Sequence, residues 1–409
     1  MIGKVDGCLA VIVALSAWAS NARAQATDKP RCADLALPHP VYGAGASSIT
    51  AVFERNASLL RERGITLFYA DPANCEGYAY FRDGSVPNDA TLQKKYKYWE
   101  PPSDGSSLGV LKECYAPEAE PQLAYLAYPV DLCQDAAVAA DTKLFPAVVD
   151  SLSVVTDTQS EEDAISAEAL YRILKFGASA SGITPWTTDE HIRLRSRTAT
   201  VSVILGEAVG IPSGDFVGDV GEVVAPFDDV YQIGVTSPST PLSYAFSSSV
   251  DMNSPNKIKP LAFQGVGQSC GYYPDSALTA RDKRNVRSGL YALWSQGHFV
   301  AKVDESGEIV DPDVAALIGA ISGEIEDLAT LTHVVEAGLV PRCAMQAERG
   351  GLLGAISSYA PPVPCGCYFE SLATTDVPPE CDACESDSDC GSDRPSCNFG
   401  FCEAYREEP

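Results

Sequence analysis

The amino-acid sequence predicts an α/β protein of two lobes followed by a small disulfide-rich C-terminal tail. Three observations carry this expectation. Short β-rich runs alternate with helical patterns from about Pro38 to Leu353, as they do where strands and helices form layers around mostly parallel sheets. A body of roughly 300 residues outgrows one core and tends to divide into two lobes with a cleft between them. Half of the 14 cysteines lie between Cys365 and Cys402, where hydrophobic periodicity stops.

The chain has 409 residues, 45% hydrophobic and 21% charged, which disfavours a wholly disordered, collagen-like or polytopic membrane protein. Its 55 acids against 29 Lys and Arg give a formal charge of −26, and no basic run exceeds Lys94-Lys95. Such a surface repels phosphate backbones, so nucleic acid is excluded as a partner.

Residues 1–24 combine Lys4, an apolar stretch from Cys8 to Ala19 and the small-x-small exit Ala22-Arg23-Ala24. This is the pattern of a secretory signal peptide cleaved before Gln25. Export places the mature chain in the periplasm, at the cell surface or outside the cell, in an oxidising compartment. Removing Cys8 leaves thirteen cysteines, so one thiol is free or pairs between chains.

Along the body, Ile65–Ala70, Val148–Val155, Val223–Ala225 and Tyr231–Val235 are strand candidates. Helices are expected over Ile49–Arg61, Ser166–Phe176, Val201–Val209 and Pro312–Ile325. Lobe I is expected to comprise residues 25–145 and to return over 241–360, with lobe II at 146–240. A Pro-rich linker over 361–375, stiffened by Pro361-Pro362-Val363-Pro364, leads into an acidic Cys-rich tail at 376–409. The tail sets ten acids against two arginines. Its cysteines, Cys381-x-x-Cys384, Cys390, Cys397 and Cys402, suit a disulfide knot; zinc is the rival, disfavoured by export and the lack of histidine. The six scattered cysteines from Cys32 to Cys343 could form up to three bridges, with connectivity open.

Val41-Tyr42-Gly43-Ala44-Gly45-Ala46-Ser47-Ser48 leads into the Ile49 helix. The glycines permit a tight turn, and Ser47 or Ser48 can cap a helix whose free N–H groups face solvent or an anion. The segment is not a dinucleotide fingerprint, because the third glycine is missing.

This turn, with the strand Ile65–Tyr69 and the loop Asn74-Cys75-Glu76-Gly77, resembles the opening of the periplasmic phosphate-binding proteins, type II solute-binding receptors of ABC importers. Further stretches follow in the same order. Val148–Val155 resembles the strand crossing into the second lobe. Ile165–Leu174 with Pro185-Trp186, then Arg193-Leu194-Arg195-Ser196-Arg197-Thr198-Ala199-Thr200, are similar to that lobe's helix, Trp turn and anion-binding helix start. Arg287–Trp294 with His298 resembles the return. The resemblance implies a periplasmic-binding-protein type II fold closing on a small oxyanion such as phosphate, and an ABC permease as partner. It places Ala46, Ser47 and Ser48 on the first anion-contacting turn and Asn74 at a second hydroxyl position. Arg195 is the implied guanidinium, with Arg193 or Arg197 in its place if the register slips. Thr198 and Thr200 fall at the second-lobe helix start.

Three departures stand out, the first being Cys75-Glu76 in a loop where the family carries small polar residues and glycine, which sets a Glu that would repel an anion beside the pocket. The family's Ser-Asp pair, whose carboxylate accepts the proton of monohydrogen phosphate, is replaced by Tyr128-Pro129 on the Leu123–Val130 strand, and Ser-Gly-Thr has become Thr198-Ala199-Thr200.

Other chemistry is not supported. His39, His191, His298 and His333 are too dispersed for a metal site, and Gly177-Ala178-Ser179-Ala180-Ser181-Gly182 misses the nucleophile elbow by one residue. Tyr96–Pro102 is aromatic, and suits packing better than stacking on a ligand. The expected function is an exported, non-enzymatic solute-binding protein that needs no cofactor. The alternative is a surface structural or adhesive protein that engages a cell-surface protein or polysaccharide through its tail.

Overall fold

A computed structural model of the chain describes residues 29–84, 95–103, 106–116, 118–133, 138–220, 226–253, 256–323, 327–374 and 377–403. The expected signal peptide, Cys8 and the strand candidate 223–225 lie outside these residues.

The chain opens with β1 (Pro40–Gly45), α1 (Thr50–Arg55), α2 (Ala57–Glu62), β2 (Thr66–Ala70), α3 (Asn74–Asp83), β3 (Lys95–Glu100), β4 (Val110–Tyr115) and β5 (Leu123–Leu126). β6 (Thr142–Asp157) then crosses into the second lobe, which holds β7 (Ala164–Ser166), α4 (Ala167–Phe176), α5 (Ala178–Ser181), β8 (Arg193–Leu194), α6 (Thr200–Val209) and β9 (Asp219–Val220). α7 (Pro226–Gly234), β10 (Ser243–Phe246), α8 (Ser247–Asn253), β11 (Ile258–Pro260) and β12 (Ala262–Gln264) complete that lobe. After α9 (Arg284–Arg287), β13 (Trp294–Lys302) returns the chain to the first lobe, followed by α10 (Pro312–Ser322), α11 (Leu328–Glu336) and β14 (Val340–Pro341). A hairpin of β15 (Ala347–Arg349) and β16 (Ile356–Ser358), α12 (Gly366–Ala373) and the tail hairpin of β17 (Ser396–Asn398) and β18 (Phe401–Glu403) finish it.

The strand order is β4-β3-β2-β1-β5-β13-β6-β10. β6 links the lobes because its two halves have different partners: Thr142 to Ser151 pair with β13, and Leu152 to Asp157 pair with β10 and β11. Its buried run, Ala147 to Val155, apolar but for Asp150, Ser151 and Ser153, suits a strand covered on both faces. One core, with Phe53, Tyr69 and Leu317, fills the first lobe. Another, with Leu170, Ile204 and Phe263, fills the second and continues to Phe369 and Phe399.

Helix starts follow local chemistry. Ser166 caps α4 by accepting from Ala169 N at 3.1 Å, and Asp311 caps α10 with Pro312 at its first position. The helix expected over Ile49–Arg61 breaks at Asn56, whose amide donates to Val52 O and whose Oδ1 meets His333 Nδ1 at 3.0 Å.

Several expectations need correction. The sheet is mixed rather than mostly parallel: β2 and β5 pair parallel with β1, while β13 pairs antiparallel with both β5 and β6, because β6 carries the chain out and β13 brings it back. Tyr231–Val235 is not a strand but belongs largely to α7, where burial of Val230 against Val155 and Ala245 overrides β propensity. Residues 241–264 stay with the second lobe, because β10 and β11 bond to the far half of β6.

The range 361–375 carries α12 rather than a bare linker, and its Phe369 is buried. The structure supplies the cysteine pairing that the sequence left open. Cys32–Cys114 and Cys75–Cys133 join scattered cysteines, but Cys343 pairs with Cys365, tying body to tail. Cys367–Cys381, Cys384–Cys397 and Cys390–Cys402 form the knot, and Cys270 is free and exposed. The tail is docked, since Glu403 accepts from Cys367 N at 2.7 Å and Phe399 enters the second-lobe core.

Candidate anion site at two turns

β1 lies between β2 and β5, with Ala44 opposite Ala70 and Gly45 opposite Tyr125. Gly45 sits at φ +146°, and a Cβ there would fall 2.0 Å from Tyr125 O, so no side chain fits. Past it, Ala46 donates its N–H to Tyr125 O at 3.0 Å and accepts from the Tyr69 hydroxyl at 2.8 Å. The Ala46 amide is therefore committed to the sheet. Ser47 to Ile49 form one 3-10 turn into α1, whose first amides have no intrahelical acceptor. Ser47 is exposed, whereas Ser48 turns its Oγ inward, toward the Tyr125 hydroxyl.

Asn74 opens α3, so the expected loop is a helix start. Its side chain is buried and clamps the end of β5: Oδ1 accepts from Ala127 N at 2.6 Å, and Nδ2 lies 3.9 Å from Cys133 Sγ. The Cys75–Cys133 bridge locks the same junction, and the Tyr128 hydroxyl sits 3.3 Å from Cys75 Sγ. Burial, then the nearby Glu76, pushes the Tyr128 phenol up to about 12. Tyr128 thus lies in a packed disulfide junction.

In the second lobe the three arginines have different fates. Arg193 bonds Asp219, and Asp229 at 2.7 Å. Arg197 donates to Phe216 O at 2.9 Å. The Arg195 guanidinium is half-buried and has no hydrogen-bond or carboxylate partner among the described residues. Burial lowers its pKa, with Tyr244 acting against. Behind it, Ser202 Oγ donates to Ser196 O at 2.7 Å and meets the Tyr244 hydroxyl at 2.8 Å, bracing the turn. Thr198 is exposed, its Oγ1 3.1 Å from Ser196 Oγ. Thr200 is the first residue of α6, a ten-residue helix with no side-chain cap. Ala199 O accepts from Ser202 N at 2.9 Å and Val203 N at 3.1 Å, which leaves the amides of Thr200 and Val201 for an external acceptor.

Sequence reasoning missed a polar cluster where β6 meets β13. Asp150 is 4% exposed; its Oδ1 has no partner and its Oδ2 lies 3.5 Å from Ser248 Oγ. Opposite it in register stands Ser295, whose buried Oγ is also unpartnered. Burial holds the Asp150 carboxyl well above the usual range, with Lys283 pulling down. Lys283 is itself committed to Asp251 at 2.6 Å and Asp275 at 2.9 Å. Tyr125 connects the cluster to the first turn: burial, then Asp150, raises its phenol, and Ser48 works the other way. The available signal was an acid inside the apolar run Val148-Val149-Asp150-Ser151-Leu152. The structure therefore gathers Ser48, Tyr125, Asp150 and Ser295, and separately Arg195, Thr198 and Thr200.

No family model matches this chain, and no curated protein matches it. Among solved structures, a possible phosphate binding protein from Planctomyces limnophilus is similar at 14% identity and TM-score 0.46, covering 75% of this chain and 93% of that one. An ABC-type phosphate transport receptor from Vibrio cholerae is similar at 13% identity and TM-score 0.46, covering 73% and 99%. The reduced OxyR regulatory domain from Pseudomonas aeruginosa is similar at 11% identity and TM-score 0.36, covering 69% and 94%.

Proposed function

We propose that the protein is an exported solute-binding protein that takes a small oxyanion, phosphate among the candidates. Arg195, Thr198, Thr200 and the first amides of α6 would hold it from one lobe, and the Ser47-Ser48 turn from the other. The observation that supports this best is Arg195. A half-buried guanidinium without a carboxylate has lost hydration without compensation, and its two neighbouring arginines are both engaged. An oxyanion restores that loss through bidentate charge-assisted bonds. Asn74 enters only as the clamp behind the first turn, because its amide already serves Ala127 and Cys133. Six disulfides favour export, and delivery to an ABC permease belongs to the same reading.

Calorimetry of the mature chain against phosphate, sulfate and small organic anions tests the proposal. Binding that weakens at least about tenfold in Arg195→Ala, with an unchanged melting temperature, supports it. No heat with any anion defeats it.

A second reading, in which the tail engages a surface protein or polysaccharide, is favoured by a groove of about 590 Å³ between body and tail. Arg284, Tyr359, Glu380 and Arg394 are among its lining residues. Arg284→Glu with Arg394→Glu should then abolish retention at the cell surface while leaving anion binding intact.

A further inference from the structure

Two buried oxygens without partners, Asp150 Oδ1 and Ser295 Oγ, come from strands that pair with each other, and a third buried oxygen, Ser48 Oγ, has the Tyr125 hydroxyl as its neighbour. Asp150 and Ser295 are direct cross-strand neighbours, and Tyr125 spans from Asp150 to Ser48. The Tyr125 hydroxyl can lie there because residue 297 is glycine: a Cβ at Gly297 would stand 2.4 Å from it. Buried polar atoms are nearly always satisfied by protein, water or ligand, so an unsatisfied group of this kind needs an occupant. The chemistry of the cluster selects that occupant. Its nearest cation, Lys283, is held by Asp251 and Asp275, so the cluster offers no free positive charge to an anion. Two hydroxyls and a buried carboxyl can each donate or accept, which is what an uncharged hydroxyl group needs. Ser48 also belongs to the turn proposed to hold the oxyanion, and the adjacent Ser47 is exposed.

We infer that Ser48, Asp150 and Ser295 form a neutral subsite for a hydroxyl group, so that the ligand is an oxyanion bearing a hydroxylated organic part rather than a bare inorganic anion. This rests on the oxyanion reading above and narrows it. The charged end would lie at Arg195 and the hydroxyl end against Asp150, with a carboxylate or a phosphate ester as the acidic group.

The test is calorimetry on the intact mature protein with two matched pairs, glycolate against acetate and glycerol 3-phosphate against inorganic phosphate. The hydroxylated member of at least one pair is expected to bind about tenfold tighter or more, since a site built to bond a hydroxyl discriminates against the analogue that lacks it. The pair that shows the preference identifies the acidic group. Ser295→Ala and Asp150→Ala should each reduce the ratio to less than about twofold, and Asp150→Asn, which still donates and accepts, should largely retain it. Should Asp150→Ala fail to fold, Ser295→Ala alone decides. Equal affinity within both pairs, with binding still dependent on Arg195, would mean that water fills the cluster and would overturn the inference while sparing the oxyanion reading. No binding of any of the four would overturn the inference, and no heat with sulfate either would remove the oxyanion reading with it.

Discussion

Gly45 and Gly77 lie back to back where α3 crosses the end of β1. A Cβ on Gly77 would stand 2.3 Å from the Gly45 Cα and 2.4 Å from its nitrogen. The glycine-rich turn therefore serves first to let a helix touch a strand, and the position of Ser47 and Ser48 is a consequence of that contact.

Gly77→Ala is expected to push α3 off β1 and to destabilise the protein by about 1–3 kcal/mol, the usual cost of overpacking. Anion affinity should fall with it, because the Ser48 turn rides on β1. Chemical denaturation checks the stability, and a change under 0.5 kcal/mol would refute the close contact.

Asp150 predicts an unusual pH dependence. Its carboxyl is held above the usual range, chiefly by burial, so the folded protein keeps a proton that the unfolded chain releases. That contribution is complete below about pH 4 and is lost as the pH rises toward neutrality. Asp150→Asn should therefore melt higher than wild type at pH 7 and about equally at pH 4. A lower melting temperature at pH 7 would count against a protonated Asp150.

His298 acts in the opposite sense. Burial, then Arg342, lowers its pKa from 6.5 to about 4. The unfolded chain takes up a proton first, so stability is present above pH 6.5 and declines by about 3 kcal/mol as the pH falls to about 4. His298→Gln should flatten the wild-type slope across that window, as followed by urea midpoints.

The cysteine pairing predicts that one thiol per native molecule reacts with a water-soluble thiol reagent before denaturation, because Cys270 is exposed and unpaired. Cys270→Ser should leave none. Finding three thiols, or none in wild-type monomer, would show that one of the six bridges is misassigned.

The sequence reading located much of the framework. β2, α4, α6 and α10 fall within the segments that periodicity marks out, because each buries one face through local spacing that a linear pattern records. The buried Tyr96, Tyr98 and Trp99 of β3 serve packing, as their setting suggested. The α7 segment was misread because its Tyr, Ile and Val favour strand locally, while Val230 meets its partners only in the fold.

What the sequence determined by itself is an acidic α/β chain rich in cysteine, with alternating elements, a glycine turn and three arginines in one short segment. Which arginine stays uncommitted was not written there, because the acids that engage Arg193, Asp219 and Asp229, lie 26 and 36 residues away. The tertiary structure also decided that Asp150 faces Ser295 and that the tail is stapled to the body through Cys343–Cys365. Burial and pairing depend on atoms brought together from distant parts of the chain, and only folding determines which of those atoms meet.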